Sequence, residues 1–156
     1  MKRAIAFSSV VFLAFQAAAW SKVKSDKAAY VGGTVSGLKA PVQGDLSTSS
    51  DKVLVFETNE GKVSIPYDHV NSLEYGQKAG RRVGLAIVVS PLALFSKKRQ
   101  HFLTVGYQDE SDKQQAAVFE LGKNTVRVTL ATLEARTGRK VEYQDEEARK
   151  SGLGGD

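Results

Sequence analysis

Two-residue alternation is the clearest pattern along this chain. "KVLVFET" (52–58) is a dense β-branched and aromatic run, "NEG" (59–61) supplies turn chemistry, and "KVSIPY" (62–67) puts Val63 and Ile65 on one face. Together they predict a β-hairpin. Pro66 has no N–H to give to a ladder, so the second strand ends there or runs along a sheet edge. "YDHV" (67–70) reads as a short turn and "NSLEYG" (71–76) as another strand. Further on, "QHFLTVGYQ" (100–108) places Leu103, Val105 and Tyr107 on one side. "DESDK" (109–113) turns the chain, and "QQAAVFELG" (114–122) places Ala117, Phe119 and Leu121 on one side, a second hairpin. Near the N-terminus "AYVGGTVSGL" (29–38) is a glycine-rich extended segment, and "LKAPVQG" (38–44) reads as a loop around Pro41 and Gly44.

The period then changes. In "NTVRVTLATLEARTG" (124–138), Val126, Leu130 and Leu133 stand at i, i+4 and i+7, which predicts an amphipathic helix. Asn124 is placed to cap its start, Gly138 to end it, and Arg136 lies in the last turn near the open carbonyls. Beyond it, "RKVEYQDEEARKSGLGGD" mixes charges and ends in glycines, so residues 144–156 are expected to form a flexible tail.

One stretch fits neither period. "RRVGLAIVVSPLALFSKKR" (81–99) carries no charge from Val83 to Phe95, yet Arg81 and Arg82 precede that run and Lys97, Lys98 and Arg99 follow it. A helix over 83–95 would reach about 20 Å, short of the ~30 Å of a bilayer core, and Pro91 would kink it. Three readings compete: a buried core segment closing the open end of the fold, a shallow membrane contact, and a protein interface.

Composition adds location. The chain has 156 residues, 42% of them hydrophobic and 25% charged, which suits one ordinary globular domain. Lys2 and Arg3, the apolar run Ala4–Phe15 and the small residues Ala17–Ala19 have the anatomy of a signal peptide over 1–19. Residues 20–27 follow as a loose polar segment. If the signal is cut, two of the 22 cations leave with it and the balance is 20 against 17 acids, or +3, too mild to argue nucleic acid. With no cysteine, disulfides, thiolate metal sites, a cysteine nucleophile and lipid attachment through cysteine are all excluded.

Candidate chemistry is sparse. His69 and His101 fall in different elements, without the i, i+4 spacing of a zinc helix. Asp68 beside His69 reads as turn chemistry. "GGTVSG" (32–37) lacks the spacing of a dinucleotide loop. Asp109, Glu110 and Asp112 offer too few ligands for a calcium loop. No catalytic residue set, cofactor site or metal site is expected.

The order of elements resembles the pleckstrin-homology-like superfold, in particular small bacterial members and the related GRAM-type modules. The residues carrying the likeness are "KVLVFETNEGKVSIPYDHVNSLEYG" (52–76) and "HFLTVGYQDESDKQQAAVFELGKNTVRVTLATLEARTG" (101–138). The resemblance implies a bent antiparallel barrel capped by a C-terminal helix, used to bind lipid head groups or peptides without catalysis. Two departures stand out. The loop joining the first two strands, "SGLKAPVQG" (36–44), has only Lys39 where lipid binders of the superfold place several cations. The sole tryptophan, Trp20, lies outside the closing helix.

The expectation is therefore an α+β domain over 28–143: a bent antiparallel β-barrel or sandwich of about seven strands with a C-terminal helix. An apolar, helical insert at 81–96 is added to it. Its function is expected to be that of a non-catalytic binding module of the bacterial envelope, exported to the periplasm or secreted, and peripheral to a membrane. It would dock on a membrane surface or protein partner, not nucleic acid, through Arg81, Arg82, Ile87, Val88 and Leu92, continued by Leu94, Phe95, Lys97, Lys98 and Arg99. The alternative is an assembly protein with 83–95 as a homo-oligomer interface.

Overall fold

A computed structural model of the chain describes residues 27–78, 89–90 and 100–154. The fold is α+β. Strands β1 (Ala28–Gly33), β2 (Val42–Ser47), β3 (Val53–Glu57) and β4 (Lys62–Pro66) run as an antiparallel meander, followed by a 3-10 turn at Tyr67–His69. Strands β5 (Val70–Gly76), β6 (His101–Gln108) and β7 (Gln114–Leu121) form a second meander. Helix α1 (Val126–Thr137), the short strand β8 (Val141–Tyr143) and helix α2 (Glu146–Leu153) complete the chain. The strand order is β4-β3-β2-β1-β7-β6-β5-β8, all antiparallel except the parallel pair β5–β8.

This mixed sheet of eight strands is curled but not closed by hydrogen bonds among the described residues, and one of its pairs is parallel, where the sequence predicts a bent antiparallel barrel or sandwich of about seven strands. Phe56 on β3 and Phe119 on β7 are three strand spacings apart, about 14 Å along a flat sheet. Their ring centroids nevertheless lie 5.1 Å apart. Only strong bending brings them together, and the bend folds Leu54, Phe56 and Ile65 onto Leu73, Leu103, Val105 and Phe119 in one core. Helix α1 contributes Val126, Leu130 and Leu133 to that core, as its periodicity predicts. Gly138 ends the helix at φ 67, with its N–H donating to the Glu134 carbonyl at 3.0 Å. The residue at the helix start is Thr125, not Asn124, and its hydroxyl donates to the Gly122 carbonyl instead of capping the first turn.

Three local expectations are corrected. The predicted first strand stops at Gly33, whose φ of +132 suits glycine, and an added Cβ there would lie 2.2 Å from the Ala116 carbonyl oxygen. Residues within the predicted loop 38–44 begin strand β2, which is half exposed and owes its existence to backbone pairing with β1 and β3. Finally, the segment expected as a flexible tail holds α2, where Asp145 Oδ1 accepts a hydrogen bond from the Ala148 N–H at 2.7 Å. The helical insert expected at 81–96 lies outside the described residues apart from Val89 and Ser90, and Val89 there pairs in an antiparallel bridge with Gly32.

Candidate docking face

Alternation in β1, β6 and β7 sends neighbouring residues to opposite faces of the sheet. Tyr30, Leu103 and Phe119 enter the main core, whereas Val31, Phe102 and Val118, with Ala29, form a second cluster on the outer face. All four of these outer residues are at most 3% exposed. Val89 packs against them, and the Ser90 N–H donates to the Val31 carbonyl at 2.8 Å. The centre of the apolar run is thus fastened to the central strand of the sheet. Arg81, Arg82, Ile87, Val88, Leu92, Leu94, Phe95, Lys97, Lys98 and Arg99 lie outside the described residues.

The points where that run departs and returns are polar and fixed. At the end of β5, Gln144 Nε2 donates both to Glu74 Oε1 and to the Lys78 carbonyl, each at 2.9 Å. At the start of β6, Gln100 Nε2 donates to Glu120 Oε1 at 2.8 Å. Glu74 and Glu120 are buried, at 5% and 6% exposure, and the strand register puts both on the outer face. The second cluster has a sequence signal of its own. "HFL" and "AVF" put apolar residues on consecutive positions, as a strand covered on both faces does, whereas alternation alone draws the eye to a single face.

Among the described residues neither histidine meets a carboxylate as its hydrogen-bond partner. His69 Nδ1 lies 3.0 Å from the Gln108 carbonyl oxygen. His101 Nδ1 lies 2.5 Å from the Tyr75 hydroxyl, with the two rings stacked, and Ser151 Oγ is 3.4 Å from the same hydroxyl. Burial first, and then the charge of Lys123, pushes the His101 pKa down. Burial raises that of Tyr75, against the Ser151 hydrogen bond that lowers it.

The acidic turn after β6 is occupied with its own folding. Asp109 Oδ1 accepts from the backbone N–H groups of Ser111 and Lys113, and its Oδ2 accepts from Gln115 Nε2. Those bonds, led by the one from Lys113, hold its carboxyl below the usual range. Among the described residues no group of three His, Asp or Glu side chains is placed to hold a metal.

Two shallow grooves flank β2. One, of about 360 Å³, runs between Lys27, Asp45 and Glu57, where an ion pair from Lys27 to Asp45 offsets the like-charged cross-strand pair Asp45–Glu57. The other, of about 470 Å³, separates Ser47–Ser49 from the first turn of α1. Comparison of the sequence with protein-family models and with curated proteins finds no match.

Proposed function

We propose that this protein is a non-catalytic binding module of the bacterial envelope, exported and peripheral to a membrane, that docks through segment 81–99. The observation carrying this reading is the fastening of Val89 and Ser90 to β1. In the sequence these two residues stand at the centre of an apolar run with cationic ends, and they are held on the sheet by a bridge to Gly32 and a hydrogen bond to Val31. Two successive meanders followed by a helix, with the sheet curled over one core, also support the finer reading of a bent, barrel-like member of the pleckstrin-homology-like superfold.

Between a membrane and a protein partner, the charges favour an anionic membrane. Five cations at the ends of the run contribute about 1 kcal/mol each near an acidic surface. Burial of Leu92, Leu94 and Phe95 adds on the order of 1.5–3 kcal/mol each. Among the described residues no helix is long and apolar enough to cross a bilayer.

The test is flotation of the mature chain with phosphatidylglycerol-containing vesicles. Binding is expected at low salt. It should weaken strongly at about 1 M salt, where screening acts within about 3 Å, and be lost in the Leu92→Asp, Leu94→Asp double variant. Protein that stays in the bottom fraction at low salt overturns the membrane reading. Concentration-dependent light scattering from such a non-floating protein would transfer the segment to an oligomer interface.

A further inference from the structure

Helix α2 rests on the fold through two small residues. Ala148 and Gly152 are its buried positions, so docking it covers little apolar surface. An added Cβ at Gly152 would lie 2.6 Å from the Tyr143 ring and 3.1 Å from that of Tyr75, so the helix backbone lies directly against two aromatic faces. The residue before the helix is fixed. The Gln144 N–H donates to the Tyr75 carbonyl at 3.0 Å, and its side chain donates to Glu74 and to the Lys78 carbonyl. Movement of α2 therefore begins after Gln144. At the far end the Arg127 guanidinium donates to the Gly154 carbonyl at 3.1 Å, an exposed contact. Eight residues do not hold a helix in water unaided, so α2 unwinds when it leaves the sheet.

Beneath this helix runs a row of three polar groups. Ser151 Oγ on α2 meets the Tyr75 hydroxyl on β5, and that hydroxyl meets Nδ1 of the half-buried His101 on β6. We infer that α2 is a proton-sensitive latch: protonation of His101 loosens its seat on Tyr75, and the helix undocks while the sheet stays folded.

The hydrogen bonds give the first reason. In a neutral ring Nδ1 can accept from the Tyr75 hydroxyl, whose oxygen is then left to accept from Ser151. The imidazolium can only donate, which reverses both bonds.

The surrounding groups give the second. Among the described residues, β5 presents Tyr75 to the ring, the turn after β7 presents the cation Lys123, and α2 presents Ser151 by way of Tyr75. The ladder partner on β7, Leu121, is apolar, and Glu120 lies on the opposite face, where Gln100 donates to it. On α2 the charged neighbours of Ser151 are Glu147, one turn before it, and Lys150, both exposed. Burial and the charge of Lys123 hold the His101 pKa down. Undocking returns the row to water and lifts the pKa toward its ordinary value of about 6.5. The open form then takes up the proton more readily than the closed one, so opening grows as pH falls below about 6.5. None of these groups belongs to segment 81–99, so the latch stands independently of the docking reading.

Amide exchange of the full-length chain tests it, corrected for intrinsic exchange rates, from about pH 7.5 to about 5.5, above the carboxylate range. At the upper end, protection over 147–153 is expected to lie well below that of β6 and β7, the mark of local opening. It should fall severalfold across the range in the unmodified chain and stay level in His101→Gln. Helix amides as protected as those of the sheet, protection that ignores pH, or an equal fall in His101→Gln each overturn the inference.

The reciprocal effect is read by NMR titration of the imidazoles, with His69→Gln identifying the His101 signal. Gly152→Leu sets a side chain against the Tyr75 and Tyr143 rings and forces α2 off, retained exchange protection in β6 and β7 showing the sheet intact. The His101 midpoint is expected to rise in this variant toward about 6.5. An unchanged midpoint overturns the latch, even should His101→Gln not fold.

Discussion

Tyr67 illustrates how much one buried atom weighs. Its ring is 3% exposed, its N–H donates to the Lys52 carbonyl at 2.9 Å, and the Arg136 guanidinium lies 5.9 Å from the ring centroid. Among the described residues its hydroxyl has no hydrogen-bond partner. Burial raises its pKa, against the Arg136 charge that lowers it. A polar atom stripped of water without a replacement costs about 1–3 kcal/mol. Tyr67→Phe keeps the ring and its cation contact, so it is expected to raise stability by about 1 kcal/mol, read as a higher urea midpoint at unchanged slope. A lower midpoint would show that the hydroxyl is bonded in solution.

His101 gives the fold a pH dependence. Its folded pKa lies below the ordinary value of about 6.5, burial being the first cause. The unfolded chain therefore takes up this proton at higher pH than the folded one, and stability falls as pH drops through about 6.5. Above that pH the group contributes no slope. His101→Gln is expected to flatten the urea midpoint between about pH 7 and the onset of carboxylate titration. An unchanged slope would assign the dependence elsewhere. At this scale the sequence is a poor guide: it displays two histidines, but only their surroundings distinguish His101, under Tyr75, from His69 at a backbone carbonyl.

At the scale of elements, a segment was legible when its own side chains supplied the periodicity. The hairpins β3–β4 and β6–β7 and helix α1 all carry their apolar stripe in plain view. Strand β2 was hidden because it has few apolar positions and is held by the backbones on either side. Helix α2 was hidden for another reason. Its buried residues are Ala148 and Gly152, too small to register as an apolar face, and Gly152 is the site over which the Tyr75 and Tyr143 rings close. What does announce this helix is its cap, Asp145 with Glu146 and Glu147 in the first turn. Asp145→Ala is expected to cost about 1 kcal/mol and to speed amide exchange across 146–153. Exchange that does not change would mean that packing on β5, α1 and β8 holds the helix without the cap.

For the whole molecule, the amino-acid order alone determined the strand-rich body, the two hairpins, the helix after the last of them, and the contrast between an uncharged run and its cationic ends. These are local properties: side-chain type, spacing and turn chemistry act within a few residues, so a linear reading captures them. Only the tertiary structure decided that the sheet bends until Phe56 meets Phe119, that it stays open with β8 as a parallel edge, and that Val31, Phe102 and Val118 form a second buried face with Val89 upon it. Those outcomes depend on which distant strands become neighbours. A buried face is a property shared between segments far apart in the chain, and no single segment carries its signature.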